Sequence, residues 1–237
     1  MAVDKTGQRV RRMFGQIAPK YDFMNHFLSM NIDRYWRWRT TRIVRPEGEQ
    51  PILDLCTGTG DLAFAFHRRS GGETPIVAAD FCPEMLEIGR RKQEKAGIDE
   101  EMIHFTEADA QDLPFETDRF QIVSVAFGLR NVSDTDLGLR EMVRVCRPGG
   151  RVAVLEFSSP RWQPFKAFYR WYSTAVLPRV GQWFARNQED AYNYLPQSIR
   201  EFPDGEALAE RMRSAGLQEV AYYPMTLGIA TLYVGRK

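Results

Sequence analysis

Cysteine is scarce in this chain of 237 residues: Cys56, Cys82 and Cys146 are the only three. They are odd in number and show no C-x-x-C spacing, which argues against a disulfide framework and a zinc site, so no metal is expected. A reducing, cytoplasmic setting fits that usage. Net charge is nearly absent as well, with 32 Lys and Arg against 31 Asp and Glu. The molecule as a whole therefore offers little to draw a polyanion, and nucleic acid is not an expected partner. The opening "MAVDKTGQRVRRMF" lacks the apolar stretch of a secretory signal, and no run approaches the roughly 20 apolar residues that span a bilayer. The chain is expected not to cross a membrane. Internal repeats and low-complexity tracts are also missing. What is there, 43% hydrophobic and 27% charged residues, is the composition of one globular domain, 1–237, with a substantial core.

From residue 51 to 157 short β-rich runs alternate with helical patterns: "PILDLC", a helix from Asp61, "PIVAAD", a helix from Glu84, "MIHFTEAD", "FQIVSVAF", a helix from Thr135, and "GRVAVLEF". Such alternation implies right-handed crossovers and a parallel sheet buried on both faces. In "CRPGGRV", Pro148, Gly149 and Gly150 are expected to stop a helix and make the turn into the next strand. After a helix around Ala207 to Ala215, "LQEVAYYPM" and "LGIATLYVGRK" read as a closing antiparallel pair. The expected fold is a doubly wound, mostly parallel α/β sheet of seven strands. Residues 1–50 form a helical cap, 51–157 the binding core, 158–203 a helical insertion rich in aromatics and arginine that covers substrate, and 204–237 the closing elements.

The stretch "ILDLCTGTGDLA" puts Gly58, Gly60 and Ala63 in the G-x-G-x-x-G/A spacing that also serves dinucleotides. The strand ends discriminate. A carboxylate at Asp54 would repel a pyrophosphate, whereas it helps to fix a ligand that carries an ammonium group. Asp80, twenty residues after Gly60, stands where an acid accepts from both hydroxyls of a ribose. Asp109 suits the exocyclic amine of adenine, with the Ala110 N–H for a ring nitrogen. S-adenosylmethionine unites an amino-acid end, a sulfonium and an adenosine, and the glycines would let the backbone approach its methionine part. The competing reading is that Asp54 and Asp109 merely cap helices or turns.

Residues Ile52 to Phe157 resemble the class I S-adenosylmethionine-dependent methyltransferases. The motifs "YDFMN" (Tyr21–Asn25), "DLCTGTGD" (Asp54–Asp61), "FGLRNV" (Phe127–Val132), "RPGGRVAVLEFS" (Arg147–Ser158) and "YNYLPQSIREFP" (Tyr192–Pro203) resemble those of the family that methylates menaquinone and ubiquinone precursors. The resemblance implies a Rossmann-like fold and a donor site that includes Thr59, Asp80, Asp109 and Ala110, beside Asp54, Gly58 and Gly60. Ala126 stands where many relatives carry serine, so only a backbone contact is expected there. It further implies methyl transfer to a ring carbon of a prenylated quinol. Demethylmenaquinol is the leading acceptor, because the short segment before "FGQIAPKYD" leans that way. The alternatives are a polyprenyl methoxybenzoquinol of ubiquinone synthesis, another small molecule, a nicotinamide dehydrogenase, and a non-catalytic donor-binding adaptor.

Carbon methylation needs an electron-rich ring, which a deprotonated quinol hydroxyl supplies. Arg130, past the end of the fourth strand, is the candidate to stabilise that phenolate; its alternative is a salt bridge to Asp134 or Asp136. Proton removal falls to a water, Asp22 or Tyr21, with His26 a further candidate and His104 read as structural. Asn25, Asn131 and Tyr194 are candidate substrate contacts, and for Tyr194, as for Asn193, plain packing is the alternative.

A prenylated quinol stays in the bilayer, so peripheral contact with a membrane surface is expected. Between Phe157 and Gln188 there is no acid, while Arg161, Lys166, Arg170, Arg179 and Arg186 are present. Phe165, Phe168, Tyr169, Tyr172 and Val176 recur at helical spacing, as in an interfacial helix, although such a face can equally pack on the core. Arg34, Arg37, Arg39, Arg42 and Arg45, interleaved with Tyr35, Trp36 and Trp38, would extend that basic surface. Nucleic-acid binding is the minority reading of the same cluster.

Overall fold

The computed structural model describes residues 7–160, 163 and 189–237. Two helices, α1 (Gly7–Leu28) and α2 (Ile32–Ile43), precede the sheet. The chain then runs β1 (Ile52–Leu55), α3 (Asp61–Ser70), β2 (Ile76–Asp80), α4 (Pro83–Lys95), β3 (Ile103–Glu107), β4 (Phe120–Ala126), α5 (Thr135–Val145) and β5 (Cys146–Phe157). It ends with α6 (Glu189–Glu201), α7 (Glu206–Ser214), β6 (Gln218–Met225) and β7 (Ala230–Arg236).

The strands form one seven-stranded sheet in the order β3-β2-β1-β4-β5-β7-β6, with β7 antiparallel to both of its neighbours and the rest parallel. Strand order reverses between β1 and β4, which opens a crevice at their carboxyl ends. Both faces are covered. Leu53, Leu55, Val123 and Val125 pack with Leu139, Met142 and Leu208 on one side, and Ile52, Ile76, Ile103 and Ile122 with Phe64, Phe66 and Leu86 on the other. Four consecutive buried residues in β1 are the mark of a strand enclosed on both sides.

Helices α3 and α5 begin where the sequence predicts. The α5 start is fixed by Asp134, which accepts the Leu137 N–H at 2.9 Å. Helix α4 begins one residue early, because Pro83 is pre-shaped for a first turn. "CRPGG" is not a plain turn: it belongs to β5, and the pairing with β4 jumps from Phe120↔Cys146 to Ile122↔Arg151. The residues between bulge out, with Gly149 at φ +73, and the Gly149 N–H and Gly150 carbonyl pair with Lys237 at 2.8 and 3.1 Å. The expected interfacial helix of 161–186 lies outside the described residues, apart from Gln163. Among the described residues no helix is long and apolar enough to cross a membrane.

Candidate active site

A cleft, partly open to solvent, lies over the reversal between β1 and β4. Of the residues singled out in the sequence, Tyr21, Gly58, Asp80, Asp109, Ala110, Ala126 and Asn131 line it. Phe14, Cys56, Phe81, Met85, Gln111, Phe127 and Gly128 line it too, and sequence reasoning missed them. Phe14 and Tyr21 come from α1, so the cap forms one wall.

The loop after β1 is held from beneath. Asp54 is buried and accepts from the Thr57 hydroxyl and the Ser124 hydroxyl, each at 2.7 Å. Burial pushes its carboxyl up to about 6 against those two hydrogen bonds. Asp54 thus shapes the turn and is not part of the cleft wall. Gly60 has φ +86, and a Cβ on it would come within 2.7 Å of the Phe105 ring, which Gly89 of α4 also abuts. Asp80 takes the Gly58 N–H at 2.7 Å and the Cys82 N–H at 2.9 Å. Burial raises its pKa while these backbone bonds oppose the rise. Asp109 does cap a turn, accepting the Gln111 N–H at 2.9 Å, yet it also faces the cleft.

Thr59 is buried, and its hydroxyl is spent on Asp22 at 2.5 Å. That bond belongs to a charged network that fastens α1 and α2 to the loop. Lys92 on α4 reaches Asp22 at 2.9 Å and Asp61 at 2.6 Å, and Arg37 reaches Asp33 at 2.5 Å and Asp61 at 3.5 Å. His26, at 2.8 Å from Asp33, is a member of this network and does not face the cleft. For Asp61, burial would raise the pKa, but Arg37 and Lys92 bring it below the ordinary value. Burial would likewise raise Asp33, and Ser29 and Arg37 lower it. With two cations already seated among these acids, His26, Asp33 and Asp61 make an ion-pair cluster and not a metal site.

Arg130 sits on a single helical turn, Leu129–Asn131, just past β4. Its partner is neither Asp134, which caps α5, nor Asp136, which pairs with Arg211 at 3.3 Å. Arg130 Nη1 donates to Glu156 Oε2 at 3.0 Å, the Arg130 N–H donates to Glu156 Oε1 at 3.2 Å, and the guanidinium lies 5.3 Å from the Phe157 ring centre. Both side chains of the pair are buried. The acid was missed, although a lone glutamate ending the apolar run "VAVLEF" was the available signal. Phe127, at φ +57, packs its ring against that of Phe157, centroids 4.4 Å apart and tilted by 35°, and meets Trp36 of α2 at 5.7 Å. Tyr194 is buried and donates to Asn131 Oδ1 at 3.1 Å. Tyr21 hydrogen-bonds Asn25, and burial raises its pKa, so the cleft receives a neutral phenol. His104 is on the exposed side of the edge strand β3.

The model of the ubiE/COQ5 methyltransferase family matches residues 2–237. The chain belongs to that family. A protein of Geobacter sulfurreducens named ubiquinone/menaquinone biosynthesis C-methyltransferase UbiE is 43% identical over 234 residues, 98% of this chain and 89% of that one. The protein of the same name from Geotalea daltonii is 41% identical over 231 residues, covering 98% and 97%. Among solved structures, the [4+2]-cyclase SpnF superposes with a TM-score of 0.72 at 15% identity, covering 98% of this chain and 96% of that one. A Thermotoga maritima protein described as a possible histamine N-methyltransferase gives 0.65 at 18% identity, covering 95% and 99%. Likeness at that identity shows the fold alone, as the cyclase makes plain.

As a ubiE/COQ5 methyltransferase the chain uses S-adenosylmethionine, and the cleft fits it. Two carboxylates stand at the carboxyl ends of β2 and β3, and Phe14, Phe81 and Met85 give an apolar wall for a base. The residues that would hold the donor are Gly58, Asp80, Asp109 and Ala110, with Ala126 contributing backbone. Thr59 and Asp54 support the loop from behind.

Proposed function

We propose that this chain, acting as one methyltransferase domain, methylates a ring carbon of a prenylated quinol in ubiquinone or menaquinone biosynthesis, with demethylmenaquinol as the acceptor. The relatives' names point to this chemistry, and the observation that carries it is Arg130. Its guanidinium is buried, fixed by Glu156 and flanked by the rings of Phe127 and Phe157; Arg130 does not itself line the cleft, but Phe127, Gly128 and Asn131 around it do.

Bound S-adenosylmethionine supplies an electrophilic methyl group on a sulfonium. The chain's own residues do the rest. Arg130 stabilises the negative charge of the acceptor's deprotonated hydroxyl, which makes the carbon ortho to it nucleophilic. The cleft walls hold acceptor and donor at reacting distance, roughly 3 to 3.5 Å. Tyr21, protonated at neutral pH, donates a hydrogen bond at the acceptor. Its neighbour Asp22 takes the departing ring proton through water, while Asn25, Asn131 and Tyr194 shape the acceptor side. Asp22 is held in place by Lys92 at 2.9 Å.

The test is transfer of label from S-adenosylmethionine under reducing conditions, with short-tailed demethylmenaquinol and short-tailed methoxybenzoquinol offered separately. Product from the naphthoquinol in clear excess is expected. Excess product from the benzoquinol would move the chain to ubiquinone synthesis, and label in neither would overturn the reading.

A further inference from the structure

The five arginines of residues 34–45 do not share a role. Arg37 turns inward to Asp33 and Asp61, and Trp36 is in the core, its Nε1 donating to Thr226 Oγ1 at 2.8 Å. Arg34, Tyr35, Trp38, Arg39, Arg42 and Arg45 face out. Among the described residues none of these four arginines pairs with a carboxylate, and Asp33, the single acid of α2, is buried on the other side. Tyr35 and Trp38 are 44% and 49% exposed, 5.9 Å apart, and the Arg42 guanidinium lies 4.9 Å from the Trp38 ring centre.

Exposed large apolar side chains adjoin this face. Of the eight among the described residues, Met30, Tyr35 and Trp38 fall within nine residues of sequence. A fourth, Leu227, sits on the turn that Trp36 ties to α2. Arginine with tryptophan and tyrosine on one helix face, beside protruding apolar side chains, is the composition that settles at a headgroup boundary. Aliphatic side chains such as Met30 and Leu227 gain nothing from stacking on bases, which disfavours a nucleic acid.

We propose that the outer face of α2 docks this protein onto an anionic lipid surface. The inner face of the same helix carries Trp36 against Phe127 and Phe157, the rings beside Arg130. The bilayer would then lie one helix diameter, about 10 Å, from the acceptor end of the cleft. That last step rests on the quinol reading; the docking itself does not.

The experiment is co-sedimentation of the full chain with phosphatidylcholine vesicles, with and without phosphatidylglycerol, in the absence of donor and acceptor. Binding to the anionic vesicles alone, weakened by salt, is expected. R39E/R42E should reduce partitioning at least about tenfold, R39K/R42K should retain it, and W38A should weaken it while keeping the thermal midpoint. Salt-insensitive binding, equal binding to neutral vesicles, or binding untouched by R39E/R42E overturns the proposal. So does capture by a single-stranded oligonucleotide with no vesicle binding, or a Trp38-dependent dimer in its place. If R39E/R42E does not fold, the salt titration and W38A still decide. Because no substrate is present, loss of docking and loss of the acceptor assignment are read separately.

Discussion

Arg130 and Glu156 meet at 3.0 Å with the carboxylate 1% and the guanidinium 6% exposed. Removing one partner from such a pair strands the other charge, at a cost of about 3–5 kcal/mol. Glu156→Gln is therefore expected to lower the thermal midpoint and to lower kcat while donor affinity stays near that of the parent. Arg130→Met with Glu156→Leu should recover much of the stability and none of the turnover. If the double variant were active, Arg130 would be structural.

Asp80 is the carboxylate expected to take the donor's ribose. Asp80→Ala should weaken S-adenosylmethionine binding by about 10–100-fold, the loss that goes with charge-assisted hydrogen bonds of about 1.5–3 kcal/mol. Calorimetric titration of donor into protein checks this. An unchanged Kd would remove Asp80 from the site.

Asp54 titrates at about 6 when folded, above its ordinary 3.8. A raised carboxyl favours the folded state most at low pH. Its contribution is complete below 3.8 and is lost as pH rises through about 6, a span of roughly 3 kcal/mol. The difference in stability between the parent and Asp54→Asn should thus shift against the parent from pH 4.5 to 7.5, as read by denaturant melts. A difference that stays flat over this range would mean that Asp54 titrates normally.

Asp22 and Tyr21 are separable. Asp22→Asn removes a base and also loosens the Lys92 tie, so it should lower kcat and speed hydrogen exchange in α1. Tyr21→Phe should lower kcat without loosening α1. Exchange in α1 unchanged by Asp22→Asn would contradict the tether.

The fold was largely legible because strand runs and helix starts are local signals: the helices expected from Asp61 and Thr135 begin at those residues. That Gly58, Asp80 and Asp109 line one cleft was legible for the same reason, since each stands at or just past the end of a strand. What was hidden depends on the third dimension. Nothing near Lys92 in sequence says that it bridges α1 and α3, and the spacing of Asp54 and Thr59 cannot show that their side chains are engaged by Thr57, Ser124 and Asp22. "CRPGG" misled because a bulge and a turn use the same residues.

The ring of Phe105 stands against both Gly60 in the donor loop and Gly89 in α4. These three positions compete for one volume, so their substitutions are not independent. A methyl group added at residue 89 would be offset only by a smaller side chain at 105, so the packing of the donor loop is set in part by a ring in the middle of β3.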